Sequence, residues 1–600
     1  MSIRLVILAT LFLFSLFFLS CSCEEDTNES TDTGRDYGQD IEDTGDIRDT
    51  QIGDIEDGGD YGGDTEDDIQ DILDDGLSPG DISDISDISD DAMSDTIEDI
   101  CIPNCNNKEC GDDGCGGSCG ICGNNAVCNG FKCECKDGFV NCNGNWIDGC
   151  ENDIDIKHLW SKSFGGSSYD NSYSVAVDSS NNVYITGHFQ SSTINFGGGE
   201  LTNAHAGWSD IFLAKFDSIG NHLWSRSFGG DSSDEAYSVS VDSSGNIYIA
   251  GFFTSSTIDF GGGVLTNTKI GYSDIFIAKF DSNGKHLWSN SFGGNGTDIV
   301  RSIFVDKSDN LYITGYFEGS SIDFGGGTLT NAGGADIFLA KFDSDGKHIW
   351  SKKFGGGQWE EAYSVSTDSS GNIVIAGVFA SNPISFGGNP LTNAGQFDIF
   401  VAKFDADGNH LWSKAFGGAG NENVNSAFID KSDNIHIVGN FNTSIIDFGG
   451  GALTSAGGYD IFIVKFDKDG NHLWSKSFGG DIGDNGISCY GDKEGNIYIT
   501  GAFASSLIDF GGGAHKNAAN GCNGYGCFDI FIVKFDGNGN YLWSKSFGGK
   551  DGDEIAYSIS TDSSNNVFVV GSFDSSNTGF GGCPLSNKGK SDVFLIKYAP

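Results

Sequence analysis

From residue 157 onward, apolar and polar positions alternate over runs of five to eight residues, the period of a β-strand. One unit reads Tyr237-Ser-Val-Ser-Val-Asp242, Ser-Ser-Gly, Asn246-Ile-Tyr-Ile-Ala-Gly-Phe-Phe253. A glycine-rich stretch containing Ile258-Asp-Phe-Gly-Gly-Gly263 follows. The unit closes with Asp274-Ile-Phe-Ile-Ala-Lys-Phe-Asp281, Ser-Asn-Gly and Lys285-His-Leu-Trp-Ser-Asn-Ser-Phe292. The two short links are hairpin turns in which Gly or Asn supplies positive φ. Each unit therefore predicts four strands: a around 237–242, b around 246–253, c around 274–281 and d around 285–292.

The unit recurs. Its Trp falls at Trp160, Trp224, Trp288, Trp350, Trp412, Trp474 and Trp543, with spacings of 62 to 69 residues. A lone four-stranded sheet exposes two faces and two edges. Stacking the sheets face to face and closing the stack into a ring covers them. Strands a, c and d each occur seven times, but the first d copy, His158 to Phe164, precedes the first strand a. The seventh blade thus borrows its d strand from the N-terminal copy. The expectation is an all-β, seven-bladed propeller over 157–600, closed by that strand and preceded by a small disulfide-rich module and a disordered acidic tether.

The N-terminal region divides by composition. Residues 1–20 carry Arg4 and then an apolar run from Leu5 to Leu19, which fits a signal-peptide core and is short for a membrane span. Residues 21–100 form the acidic linker; between 24 and 100 there are 30 Asp/Glu against Arg35 and Arg48. Such a segment cannot bury enough apolar area to fold. Residues 101–150 hold eleven cysteines: Cys101, Cys105, Cys110, Cys115, Cys119, Cys122, Cys128, Cys133, Cys135, Cys142 and Cys150. In an exported chain, that density predicts a disulfide framework. Cys522 and Cys527 predict a further short disulfide loop. Eleven is odd, so connectivity is left open.

Charge narrows the partners. With 85 Asp/Glu against 33 Lys/Arg, the formal net charge is −52, which disfavours nucleic acid.

Three resemblances add to this reading. Phe18-Leu19-Ser20-Cys21 resembles a bacterial lipobox, which implies a lipid on Cys21 and a membrane anchor at the outer membrane or cell surface. Cys128-Asn-Gly-Phe-Lys-Cys133-Glu-Cys135-Lys-Asp-Gly-Phe resembles part of an EGF-like module. Tyr-Ser-Val-Ser-Val-Asp-Ser-Ser-Gly-Asn-Ile-Tyr-Ile-Ala-Gly is similar to the SBBP-type bacterial beta-propeller repeat, and resembles NHL repeats over strands a and b. The SBBP resemblance implies a propeller fold outside the cytoplasm and no defined activity.

Residues common to all repeats hold blades together; residues that break the sevenfold pattern can form one site. The b-to-c connections run about 20 residues and emerge with the d-to-a loops on one face, where binding is usually built. The pattern-breaking set there is His205 and Trp208 in blade 1, Lys269 and Tyr272 in blade 2, Trp359, Glu360 and Glu361 between blades 3 and 4, and His515, Lys516 and Tyr525 in blade 6. Aromatics beside carboxylates suit sugars or peptides. The Asp ending each strand a, such as Asp242, is expected to cap its own turn. His222, His286 and the other d-strand histidines sit one per blade, too far apart to share zinc. Asp343-Ser-Asp345-Gly, Asp405-Ala-Asp407-Gly and Asp467-Lys-Asp469-Gly resemble the start of a calcium loop but lack its closing Glu, so calcium is the one cofactor left open. A sialidase-like arginine cluster is disfavoured, since the ring holds only Arg226 and Arg301. The leading function is a non-catalytic binding or adhesion scaffold for glycan or protein. The alternatives are a carboxylate-based glycan hydrolase or lyase on the loop face, and a structural envelope component.

Overall fold

The computed structural model describes residues 157–518 and 527–600, with short strands between 126 and 153. The expectations for residues 1–125, including Cys21, and those for Cys142, Cys150, Cys522 and Tyr525 lie outside the described residues. Between 126 and 153, Ala126–Asn129 pairs with Lys132–Cys135, and Phe139–Val140 with Asn152–Asp153. Cys128, Cys527 and Cys583 are each disulfide-bonded.

Seven four-stranded antiparallel sheets follow. In blade 2, strands a to d are Asp234–Val241, Ile247–Phe253, Asp274–Phe280 and His286–Phe292. The same order repeats in each blade. In the seventh, Glu554–Thr561, Val567–Phe573 and Asp592–Tyr598 are followed by His158–Phe164, paired from Val593 with Phe164 to Tyr598 with His158. Strands b and c are buried almost from end to end, because neighbouring sheets cover both faces. The apolar core lies between blades. Ile211 and Leu213 of blade 1 meet Val239, Ile249 and Phe276 of blade 2, and Phe568 and Leu595 of blade 7 meet Val175 and Phe212 of blade 1. Each such side chain contributes roughly 1.5–3 kcal/mol by leaving water.

A bulge in every strand a governs the inner wall. One residue per blade has no partner on strand b: Tyr173, Tyr237, Arg301, Tyr363, Asn425, Ile487 and Tyr557. The serine after it turns its hydroxyl toward the neighbouring inner strand. The N–H of Val239 donates to Ser174 Oγ at 3.1 Å, Ile303 to Ser238 at 3.2 Å, Val365 to Ser302 at 3.3 Å and Ala427 to Ser364 at 3.0 Å. Cys489 donates to Ser426 at 3.4 Å, Ile559 to Ser488 at 3.3 Å and Val175 to Ser558 at 3.2 Å. The last bond ties blade 1 to blade 7 through the inner strands alone. Opposite each bulge, strand b carries a glycine. A Cβ at Gly377 would stand 2.0 Å from Glu361 O, so no other residue fits without displacing strand a.

The b-to-c connections differ from open loops. In blade 2, Thr257–Asp259 pairs with Val264–Thr266, and Ile258 and Phe260 plug into the core. The Gly261–Gly263 turn is held by Asp259 Oδ1 and lies against the ring of His286, whose Cε1 would be 2.0 Å from a Cβ at Gly262. The d-strand histidine is therefore a floor for its own blade's hairpin, with Nε2 3.1 Å from Ser289 Oγ. On the opposite face, Asp242 accepts from Ser244 N, Asn246 N and Asn246 Nδ2 at 2.8–3.0 Å and pairs with Lys279, as a capped turn requires. Positive φ in these a-to-b turns is supplied by Gly245, Gly371 and Gly495, by Asn181 and Asn565, and also by Asp309 and Asp433.

Gly377→Ala is expected to lower stability by about 1–3 kcal/mol through overpacking at the bulge, and Ser302→Ala by about 1 kcal/mol through the orphaned Val365 N–H. Urea unfolding of each variant checks both.

Candidate functional site at the axial mouth

The bulge residues meet across blades. Tyr173 contacts Tyr557 and Tyr237 edge-on, with ring centroids 5.2 Å apart in each pair. Arg301 follows, its guanidinium carbon 5.1 Å from the Tyr237 ring, 5.7 Å from Tyr363 and 5.8 Å from Tyr316. Blades 7, 1, 2, 3 and 4 are thus joined by one continuous aromatic–cationic chain at the start of the inner strands, toward the face of the long connections. Ring closure is what brings Tyr557 and Tyr173, from opposite ends of the repeat array, into contact.

Arg301 Nε donates to Glu361 Oε1 at 2.5 Å. The other Glu361 oxygen accepts from Tyr363 OH at 3.1 Å and Trp359 Nε1 at 3.4 Å. Burial works against the Arg301 charge, but Glu361 and the surrounding tyrosines outweigh it and raise its pKa well above normal, so it stays cationic. In the adjacent blades, His188 Nδ1 lies 3.6 Å from Glu235. Burial, with a smaller contribution from Glu361, holds Glu318 above the usual carboxylate range. Blades 5 and 6 present amides instead. Asn423 Nδ2 donates to Asn425 Oδ1 at 3.1 Å, Asn425 Nδ2 to Gly486 O at 2.8 Å, and Asn440 Nδ2 to Asn485 Oδ1.

The described residues singled out from sequence divide into five groups. Glu361 and Trp359 belong to this cluster. Glu360 and Glu361 are the first two residues of strand a in blade 4, Glu360–Thr367, and not loop residues. Glu360 is fully buried beneath Gly356 N and Ser381 N. His515 sits in a b-to-c hairpin, bonded to Ser544 and Ser546, with Lys516 exposed beside it. His205 and Trp208 are exposed on a blade 1 loop. Lys269 lies 4.6 Å over the Tyr272 ring and lines a cleft of about 420 Å³ between blades 2 and 3, with Asn295, Ser320 and Asp323. The cleft does not include the axial cluster. Arg301, Tyr237, Tyr316 and the four asparagines were missed; the signal was present as three repeat positions that vary from blade to blade, the second and fourth residues of strand a and the sixth of strand b. The calcium-like turns spend their leading carboxylates internally: Asp343 Oδ1 accepts from Asp345 N and Lys347 N, and Asp405 and Asp467 do the same. Among the described residues, no group of three or more His, Cys, Asp or Glu is placed to hold a metal.

A second set of carboxyls underlies the same face. The Asp opening strand c and the acid opening the next strand a are buried as neighbours, as in Asp210 with Asp234, Asp274 with Asp298, and Asp398 with Glu422. Each accepts a loop N–H, such as Ala204 to Asp210 at 2.6 Å or Gly294 to Asp298 at 2.7 Å. Asp210 Oδ1, Asp274 Oδ1 and Asp298 Oδ1 have no hydrogen-bond partner. Burial first, and the neighbouring carboxylate to a lesser degree, pushes Asp234 up to about 7, Asp298 to about 8 and Glu422 to about 7. Asp298 lacks the hydroxyl that Ser255 gives Asp234, because Gly319 takes the serine's place.

Groups whose folded pKa is raised stabilise the fold fully below their unfolded pKa and lose that contribution as pH rises through the folded one. The thermal midpoint is therefore expected to fall between pH 5 and 8, and Asp298→Asn to flatten the decline. A melting series across that range checks this.

Two segments, 159–188 and 223–251, match the SBBP beta-propeller repeat family. An uncharacterized WD repeat-containing protein of Acanthamoeba polyphaga mimivirus is 24% identical over 74% of this chain and 38% of its own length. The regulatory protein FlaEY of Caulobacter vibrioides is 23% identical over 60% of this chain and 38% of its own length. The chain thus spans under two fifths of the curated relatives it matches. Among solved structures, the WD40 propeller domain of Doa1 aligns over 74% of this chain and 96% of that chain at 11% identity and a TM-score of 0.36. An ulvan lyase aligns over 72% and 97% at 13% identity and a TM-score of 0.37.

Proposed function

We propose that this is an exported protein held at the bacterial outer membrane or cell surface through a lipid on Cys21, and that its propeller binds a glycan or protein ligand without chemistry. The acidic linker would carry the ring away from the membrane. The observation that supports binding is the Arg301–Glu361 pair set among Tyr237, Tyr316, Tyr363 and Trp359 on a rigid inner wall. Apolar ring surface with a few convergent polar groups is the usual chemistry of a binding site. Arg301 also replaces the tyrosine that four of the seven blades carry at the bulge.

One observation favours the glycan hydrolase or lyase reading. Glu318, raised by burial and to a smaller degree by Glu361, is suited to hold a proton on the same wall as the Glu361 carboxylate that Arg301 binds. Turnover of the bound glycan would select that reading, and its return unchanged would select binding.

In the native host, metabolic labelling with an alkyne fatty acid is expected to mark the wild-type chain and not Cys21→Ser, with the variant released from the membrane fraction. Tyr363→Ala, which removes one wall of the cluster, is expected to weaken ligand binding at least tenfold in a direct titration, with His205→Ala near wild type.

A further inference from the structure

Deepening the axial-mouth reading, on which it rests, we infer that the ligand is a neutral, hydroxyl-rich glycan, read by Arg301 and Glu361 of blades 3 and 4 and by the asparagine amides of blades 5 and 6. Three ligand classes can be separated by charge. An anionic ligand meets Glu361 and Glu235 against the single guanidinium of Arg301, in a chain of net charge −52. A cationic ligand would need aromatic faces, but Arg301 already lies over Tyr237, Tyr316 and Tyr363 and would repel a second cation. A neutral polyol avoids both conflicts.

The hydrogen-bonding groups fit such a ligand. The bond from Nε to Glu361 is the one hydrogen bond of the Arg301 guanidinium among the described residues, which leaves two terminal nitrogens to donate to adjacent hydroxyl oxygens. Glu361 is an acceptor beside it, and Glu235 of blade 2 is another, near His188. On the next two blades, Asn423 and Asn485 are half-buried and offer both donor and acceptor atoms, and the buried Asn440 Oδ1 has no donor among the described residues. Sugar hydroxyls donate and accept at neighbouring positions, which matches this mixture, while Tyr173, Tyr557 and Trp359 supply ring surface for sugar C–H faces. An extended peptide would bind by adding a strand to the inner edge. That edge is engaged at each bulge, where the N–H groups of Val175, Val239, Ile303 and their counterparts already bond to serine hydroxyls.

The test titrates the full-length protein with maltohexaose, cellohexaose, hexagalacturonate, a chitosan hexamer and a neutral Gly-Ser-Gln decapeptide at 50 and 500 mM NaCl. Arg301→Lys and Asn485→Ala are run alongside, with melting curves to confirm folding. The expected result is saturable binding of a neutral hexasaccharide with Kd changing less than twofold between the two salts. Arg301→Lys, which keeps the charge and loses the fork, should weaken it at least tenfold, and Asn485→Ala several-fold. Preference for hexagalacturonate, the chitosan hexamer or the decapeptide, still lost in the variants, would overturn the neutral-glycan class while leaving the axial site in place. Neutral-sugar binding unchanged in both folded variants would overturn the axial site itself. Binding of none of the five probes would overturn the glycan inference.

Discussion

Each inner strand carries a bulge, and the molecule depends on what that bulge does to two consecutive side chains. The serine after it reaches the next blade's main chain, closing a circle of seven hydrogen bonds. The bulged residue itself is freed from ladder pairing and joins the lining of the axis. Scaffold and candidate site are therefore products of one local irregularity. The serine cannot vary without breaking the circle. Its neighbour can, and is Tyr, Arg, Asn or Ile in different blades.

The two faces of the ring use carboxylates in opposite ways. On the tight-turn face, Asp430 accepts from Asn434, His436 and Lys465, and these bonds outweigh its burial to hold it well below the normal range. On the long-connection face, acids are buried in pairs with few donors and are pushed upward. The first arrangement favours the ionised state and closes the ring's floor. The second favours bound protons at the blade junctions, directly beneath the surface assigned to ligand.

Strand content and blade order were legible because seven copies of one alternating pattern average out local exceptions. The Asp-capped turns were legible because Asp-Ser-Ser-Gly-Asn specifies its own hydrogen bonds. The short hairpins inside the b-to-c connections were not: a three-residue strand such as Thr257–Asp259 is below the length at which alternation can be recognised. Reading those stretches as open loops drew attention to His205, Trp208, Lys269 and Tyr272 at the periphery. The axial cluster was hidden for a different reason. A bulge shifts register by one, and only the paired backbone shows that the repeat position shared by Arg301 and Tyr363 lines the axis. Arg301 was counted as one of two arginines in the ring and not placed.

Backbone hydrogen exchange on the full-length protein, with and without its saturating ligand, tests most directly whether the bulged inner strands form the binding surface. The account predicts added protection confined to the first residues of the inner strands, around Tyr173, Glu235, Arg301, Glu361, Asn423, Asn485 and Tyr557. Protection concentrated instead on the loops bearing Trp208 and Tyr272, with the inner strands unchanged, would contradict it.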